Sequence, residues 1–298
     1  MATANVSCAN EIPFLMFLQT DVSLLICAVL NCFFAATTTV GNLLIIISIF
    51  RSPVLRSTAN FLLLGLAIAD FGVGVVLEPL YITVLLKRYM ASPVSCTLAV
   101  SFTSVSSFLI ATSMFAFTAI SLDRYLAIHF HLRYKEFFTE KKVIYLQISL
   151  WITSGLLTLT RMAGFRIYLV IALIIVIVCL SIICLAYCNI FLVLRRHQVQ
   201  IQNQMRTTDR IKNLKQLRSS VVNTFYVFFA HLVCFLPFGC LTIIANTSRT
   251  RSRAVMLLNL LSTSIILFNS SLNPLIYCWR RQDFRENVKQ TLKNLCCL

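Results

Sequence analysis

Apolar residues run along this chain in long blocks separated by short polar stretches, and the blocks show no strict alternation of polar and apolar positions. A helix needs roughly 20 apolar residues to cross a bilayer. Seven blocks meet that length: about 22–50, 58–86, 94–128, 143–160, 167–194, 219–245 and 254–279. Barrel strands would alternate, and backbone groups in lipid must be satisfied within their own segment. The pattern therefore predicts an all-α membrane protein, one seven-helix transmembrane domain over residues 1–298. Gly155, Arg161 and Gly164 interrupt the end of the fourth block. An amphipathic stretch at about 281–292 follows the last span and predicts a short eighth helix.

Composition agrees. The 298 residues are 58% hydrophobic and 12% charged, against ~25% charged in soluble domains. Of the 26 Lys and Arg residues, 19 fall on one side of the predicted membrane, among them Arg51, Arg124, Arg195, Arg218 and Lys293. The other side holds Lys87, Arg88, Arg161, Arg166, Arg249, Arg251 and Arg253. The positive-inside rule puts the larger group in the cytoplasm, with the N-terminus outside and the C-terminus inside, as in a multi-pass plasma-membrane protein. The net charge of +16 is then membrane topology and gives no reason to expect nucleic acid as a partner; membrane lipids are the surroundings.

No basic start and apolar core suggest a cleavable leader in residues 1–20, so the first span is expected to act as its own insertion signal. Asn5-Val6-Ser7 is a glycosylation sequon on the outside. Asn246-Thr247-Ser248 and Asn269-Ser270-Ser271 share the pattern, one against the membrane and one within a span. Of twelve cysteines, eight lie in spans as small apolar residues. Cys8 and Cys96 face outside, where a disulfide between them is chemically permitted. Cys296 and Cys297 follow the amphipathic stretch and are either palmitoylation sites or two free cytosolic thiols.

Polar side chains inside spans are costly and mark function. Asp70 lies midway along the second span, Asn42 along the first, Ser113 on the third. Asn269, Asn273 and Tyr277 recur every four residues, so they share one face of the seventh helix. That face should turn inward and meet Asp70. The cluster is either a hydrogen-bonded glue between helices or a cation site, since a carboxylate with hydroxyl and amide oxygens suits a hard ion. Pro237 and Pro274 interrupt the sixth and seventh spans and free the carbonyls of Val233 and Ser270. At the cytoplasmic end of the third span, Asp123 and Arg124 cancel in charge when paired. Released, Arg124 presents five donors to the cytoplasm. A switch explains the Asp beside it better than a snorkelling anchor does.

Together these residues resemble the rhodopsin-like G-protein-coupled receptors over about 22–292. The motifs are Gly41-Asn42, Leu66-Ala67-x-Ala69-Asp70, Asp123-Arg124-Tyr125, Trp151, Tyr187, Phe235-Leu236-Pro237 and Asn273-Pro274-x-x-Tyr277, each on its proper span. Phe284 fits the family's eighth helix. The resemblance implies a sodium pocket at Asp70, Ser113, Asn269 and Asn273, the ion being allosteric and no other cofactor expected. It implies a hinge at Phe235 and Pro237. It also implies a G-protein switch in which Arg124 meets Tyr187, Tyr277 and the tail of a Gα subunit, with Asp123, Tyr125, Asn273 and Pro274 around it.

Several family features are missing. Ala99 occupies the position of the usual span-three cysteine, with Cys96 three residues away. Cys179 replaces the span-five proline, and the outer loop near 160–167 has no cysteine. These absences are similar to the melanocortin, adenosine, cannabinoid and lysophospholipid branch, most of all the melanocortin receptors. Phe235 replaces the usual tryptophan, and His231 the aromatic one turn below. His231 is either a buried histidine with a hydrogen-bond partner or a proton sensor. Leu217 stands where an acid would lock Arg124, so basal activity is expected.

Ser106 holds the position of the aminergic Asp, and span seven has no Lys for retinal. Biogenic amines and retinal are therefore not expected as the extracellular ligand. Glu78, two turns outward from Asp70, is a candidate receiver of a cationic group, or a structural partner of Arg161 or Arg166. The rest of the expected ligand pocket, by analogy, is Ser106, Ser107, Ile110, Phe238, Thr242 and Thr263. Two function classes follow. One is a receptor carrying a small-molecule or peptide signal to a heterotrimeric G protein. The other is a transporter or channel using Asp70 as an ion site, for which the paired repeats of transporters are not evident. No nucleophile–base pair suggests an enzyme.

Overall fold

The computed structural model describes residues 21–130, 134, 139–202, 225–226, 228–241, 243–244 and 252–296. The helices are α1 (Val22–Arg51), α2 (Thr58–Tyr89), α3 (Cys96–Phe130), α4 (Glu140–Leu159) and α5 (Phe165–Gln202). They continue as α6, described over Phe228–Leu241, α7 (Arg253–Arg280) and α8 (Gln282–Cys296). Six of them are long and apolar enough to cross a membrane, and α6 is the shorter apolar helix among the described residues. Thr242, Asn5, Cys8 and Cys297 lie outside the described residues.

Local chemistry sets the helix starts. Asp21 caps α1, accepting the Ser23 amide at 3.0 Å and its hydroxyl at 2.8 Å. Ser57 caps α2 and Ser252 caps α7 in the same way. Arg253 at the start of α7 reaches Asp21 at 2.7 Å and ties the outer ends of α1 and α7 together. These bonds hold the Asp21 carboxyl down at about 2, the Ser23 amide contributing most, then the Ser23 hydroxyl and Arg253.

α2 is not one continuous α-helix. Val73–Leu77 forms a π turn immediately before Glu78 and Pro79. Pro79 has no N–H and its ring crowds the carbonyl four residues earlier; the extra residue of a π turn relieves that conflict. Gly74 sits inside the turn. A Cβ there would lie 2.6 Å from Thr39 Oγ1 and 2.8 Å from the Thr39 amide nitrogen, so only glycine lets α1 approach this closely.

The end of α4 is broken where the sequence is irregular. Thr160–Ala163 is a 3₁₀ turn, and Gly164 with φ of 130° leads straight into α5. That φ belongs to the region which favours glycine.

Packing divides the core into two parts. The inner part gathers Ile45, Leu62, Phe117, Ile120, Tyr187, Phe228, Tyr277 and Phe284. The outer part gathers Leu24, Leu77, Tyr81, Phe102 and Leu260. α3 is central, packing on α2, α4 and α5, while α1 packs on α2, α7 and α8. Apolar side chains such as Phe33, Ile152, Leu156, Val170 and Ile174 remain exposed. In water such a surface would be a liability; in a bilayer it is the lipid-facing coat.

Candidate functional site: a buried polar column from outer cavity to inner face

Midway through the bundle Asp70 is 1% exposed and accepts three hydrogen bonds. Asn273 donates to Oδ2 at 2.6 Å, Ser270 to Oδ1 at 2.8 Å and Ser113 to Oδ1 at 3.5 Å. Pro274 leaves the carbonyl of Ser270 without its helical donor, and Asn42 on α1 donates to that carbonyl at 3.1 Å. Gly41 makes the approach feasible: a Cβ there would meet the Pro274 ring at 3.1 Å. Three helices, α2, α3 and α7, thus meet at one carboxylate, and α1 joins them through the Ser270 carbonyl. Ser270 is a member that periodicity did not single out, because it lies one residue off the Asn269–Asn273–Tyr277 stripe.

Asn269 does not reach Asp70. Its amide donates to His231 Nδ1 on α6 at 2.9 Å. The His231 ring is stacked between Phe117 of α3, 5.4 Å between centroids, and Phe235, 3.9 Å. The phenylalanine in place of the usual tryptophan and the histidine in place of the usual aromatic therefore work as one stacked unit, tied to α7 by Asn269.

Among the described residues no cluster of three or more His, Cys, Asp and Glu side chains exists. An ion at Asp70 would rest on one carboxylate and on neutral oxygens such as the hydroxyls of Ser113 and Ser270. That donor set fits a weakly held hard cation better than a transition metal.

At the inner end of α3, Arg124 is 8% exposed and pairs with Asp123 at 3.7 Å. Tyr134, beyond the end of α3, donates its hydroxyl to Asp123 Oδ1. Burial, and then Asp123 beside it, hold the Tyr134 phenol above its usual range, so it remains a donor near neutral pH. Nothing in the sequence distinguished Tyr134 from the other residues of its polar loop. Tyr125 stacks on His129 at 5.6 Å. Tyr187 packs its ring on Phe228 at 5.7 Å, and Tyr277 lies 6.1 Å from Phe284 of α8. The buried Arg124 Nε has no hydrogen-bond acceptor.

The outer half holds a cavity of about 420 Å³. Ser106, Ser107, Ile110, Phe238 and Thr263 line it, as does Phe235. His231 is on its wall, so the cavity touches the stacked unit described above.

Glu78 is placed elsewhere. It is fully buried at the α1–α2–α7 junction, where Thr38 donates to Oε1 at 3.2 Å and Thr38 and Ser271 share a 2.6 Å bond. Its Oε2 has no hydrogen-bond partner. The π turn before Pro79 changes the helical register beyond Asp70, which is why counting two regular turns outward put Glu78 at the pocket. Arg161 takes the position the sequence gave to Glu78. It lines the cavity, donates to Ser107 Oγ at 3.2 Å, and lies 4.9 Å from the Tyr168 ring centre. Cys96 is disulfide-bonded, its partner being outside the described residues.

Comparison with known proteins agrees with this architecture. Residues 41–166 and 160–277 match the family described as 7 transmembrane receptor (rhodopsin family). The chain is 28% identical over 281 residues to melatonin receptor type 1A of Mus musculus, covering 86% of this chain and 77% of that one. It is 26% identical over 286 residues to adenosine receptor A3 of Ovis aries, covering 85% of each. It is also 26% identical over 314 residues to adenosine receptor A2b of Gallus gallus, covering 90% and 88%. The chain belongs to the rhodopsin family of seven-transmembrane receptors and is a G-protein-coupled receptor. The same matches decide against the transporter reading of the Asp70 cluster.

Proposed function

We propose that this receptor takes a small molecule into its outer cavity and passes the signal to a heterotrimeric G protein at Arg124, with its N-terminus outside the plasma membrane and its C-terminus in the cytoplasm. The observation that carries the reading is the continuity of buried partners. His231 and Phe235 line the cavity, Asn269 joins them to α7, and Asn273 on the same helix joins Asp70. Arg124 waits at the inner end of α3, paired with Asp123. A ligand biases such a system only by binding its two states unequally, and a molecule in contact with His231 and Phe235 touches the part of α6 that holds Pro237.

The cavity volume is within the range of small-molecule sites, ~300–1,000 Å³. Relatives named for melatonin and adenosine, both small molecules, favour that class over a peptide. Asp70, with Ser113, Asn273 and the hydroxyl of Ser270, forms the site for a sodium ion that favours the resting state. Asn269 acts beside it through His231. Cys8 is the extracellular cysteine available to Cys96. Asn5 carries a glycan, and Cys296 and Cys297 carry palmitate.

Cells expressing the wild type without ligand are expected to show a shifted second-messenger baseline, in cyclic AMP or calcium, that Arg124→Ala removes at equal surface expression. A shifted baseline that survives Arg124→Ala would overturn the assignment of the switch.

A further inference from the structure

Two side chains on the wall of the outer cavity, His231 and Asn259, are almost fully buried, at 4% and 2% exposure. Each holds one polar atom, His231 Nε2 and Asn259 Oδ1, with no hydrogen-bond partner among the described residues. Buried polar atoms are nearly always paired, so each exception calls for a partner. Phe117 and Phe235 cover the two faces of the His231 ring, which leaves only its edge to meet a ligand. On that edge Nδ1 accepts from Asn269 of α7. An imidazole that accepts at Nδ1 carries its proton at Nε2, and that N–H points away from α7. Asn259 Oδ1, by contrast, is an acceptor. The hydroxyls of the same wall already donate to carbonyls of their own helices: Ser106 and Ser107 to Thr103, and Thr263 to Asn259. The cavity therefore offers a donor at its inner end and an acceptor at its outer end.

α7 sets the distance between the two. Asn269, which holds His231, follows Asn259 by ten residues of this helix, and Pro274 lies beyond both. At the rise of an α-helix that is about 15 Å. A hydrogen bond of about 3 Å at each end leaves roughly 10 Å between the two ends of a ligand. The wall between them is apolar, with Ile110, Leu180, Phe235 and Phe238.

We propose that the ligand is an uncharged, rigid, elongated molecule with a hydroxyl donor at its outer end, an apolar body, and a ketone acceptor at its inner end, the chemistry of a steroid hydroxyketone. The hydroxyl donates to Asn259 Oδ1, and the ketone accepts from His231 Nε2–H. Both protein groups are neutral, so a charged end would exchange its water for an uncharged partner and bind less well. The apolar walls around each hydrogen bond strengthen it, and a rigid body loses little conformational freedom on binding. The inner end bears on the stacked His231–Phe235 unit of α6. This inference rests on the receptor reading above for its consequence, since contact with α6 is what converts binding into a signal.

The test is binding of tritiated 3β-hydroxyandrost-5-en-17-one to the purified full-length receptor in nanodiscs, with no G protein present and receptor-free nanodiscs as the blank. Three unlabelled analogues compete with it. Androst-5-en-17-one lacks the hydroxyl, androst-5-en-3β-ol lacks the ketone, and the 3-sulfate ester of the probe replaces the donor with an anion. We expect saturable binding to wild type, and each analogue weaker than the unlabelled parent by about tenfold or more. These comparisons need no variant to fold. Asn259→Leu should weaken the parent by a similar factor yet bind androst-5-en-17-one as wild type does. His231→Phe should likewise weaken the parent and leave androst-5-en-3β-ol unchanged. A purely structural role of either residue would weaken the parent and both analogues alike. That uniform weakening, an analogue competing as well as the parent, dependence of the ketone on Asn259, or absence of saturable binding to wild type would overturn the proposal. Those failures leave the Arg124-dependent baseline in cells untouched, and loss of that baseline would leave the binding result standing.

Discussion

Tyr134 reaches the inner end of α3 from outside the membrane span. Its hydroxyl shares Asp123 with Arg124, so the carboxylate is both hydrogen-bonded and ion-paired. A hydrogen bond to a charged group contributes ~1.5–3 kcal/mol. Tyr134→Phe should weaken the hold on Asp123, make Arg124 easier to release, and raise ligand-free nucleotide exchange several-fold. Unchanged exchange in Tyr134→Phe would mean that the bond is only structural. Asp21 gives a second prediction. Its folded carboxyl, held at about 2, lies below the unfolded value of ~3.9. The stability it contributes is complete above pH ~4 and is lost as pH falls through about 2. Thermal melting of wild type and Asp21→Ala should therefore differ by a constant amount between pH 5 and 8. A gap that closes within that range would contradict the Ser23 and Arg253 contacts as its cause. At this scale the sequence was most legible where a side chain was out of place. Asp70, Asn273 and Arg124 are polar in apolar surroundings and betray themselves. Tyr134 lies in a polar loop and Arg161 at an irregular helix end, where a charged or hydroxylated residue is unremarkable.

At the scale of elements, six of the apolar blocks gave helices whose ends agree within about three residues, except that α5 runs on to Gln202, while both ends of the sixth block lie outside the described residues; lipid imposes length and composition together. α4 and α5 begin earlier than the apolar pattern because Glu140–Lys142 and Phe165–Arg166 continue the helix beyond its apolar part. The π turn of α2 was not legible: Pro79 announced a disturbance, but either a kink or an extra residue could relieve it. That one choice moved Glu78 from the pocket to the α1–α2–α7 junction. Two glycines test the packing. A Cβ at Gly74 would meet Thr39 backbone as well as its side chain, whereas at Gly65 the nearest atoms are the end of the Gln147 side chain, which can swing away. Gly74→Ala should destabilise the purified receptor by ~1–3 kcal/mol, and Gly65→Ala by much less. Similar melting of the two variants would contradict the close α1–α2 approach.

At the scale of the whole molecule, the receptor is a stack of three levels joined by few bonds. The outer cavity meets His231 and Phe235, the middle converges on Asp70, and the inner face closes on Asp123 and Arg124. The sequence showed the middle and inner levels through motifs whose spacing survives in the fold. Of the outer level it showed, by analogy, the cavity residues Ser106, Ser107, Ile110, Phe238 and Thr263, but not Arg161 or the extent of the cavity, which belongs to the space between helices. The middle level should answer to sodium: ligand-free signalling is expected to fall as sodium replaces a larger cation at constant ionic strength, and Asp70→Asn should abolish that dependence. Equal sodium sensitivity in both proteins would place the ion elsewhere or exclude it. The most direct measurement is ligand-free guanine-nucleotide exchange on a panel of purified Gα subunits, by wild type and by Arg124→Ala reconstituted at equal amount in nanodiscs. The account predicts that wild type accelerates exchange on at least one Gα subunit and that Arg124→Ala returns it to the receptor-free rate. Equal acceleration by both proteins, or none by a folded wild type on any subunit even with an activating ligand bound, would contradict it.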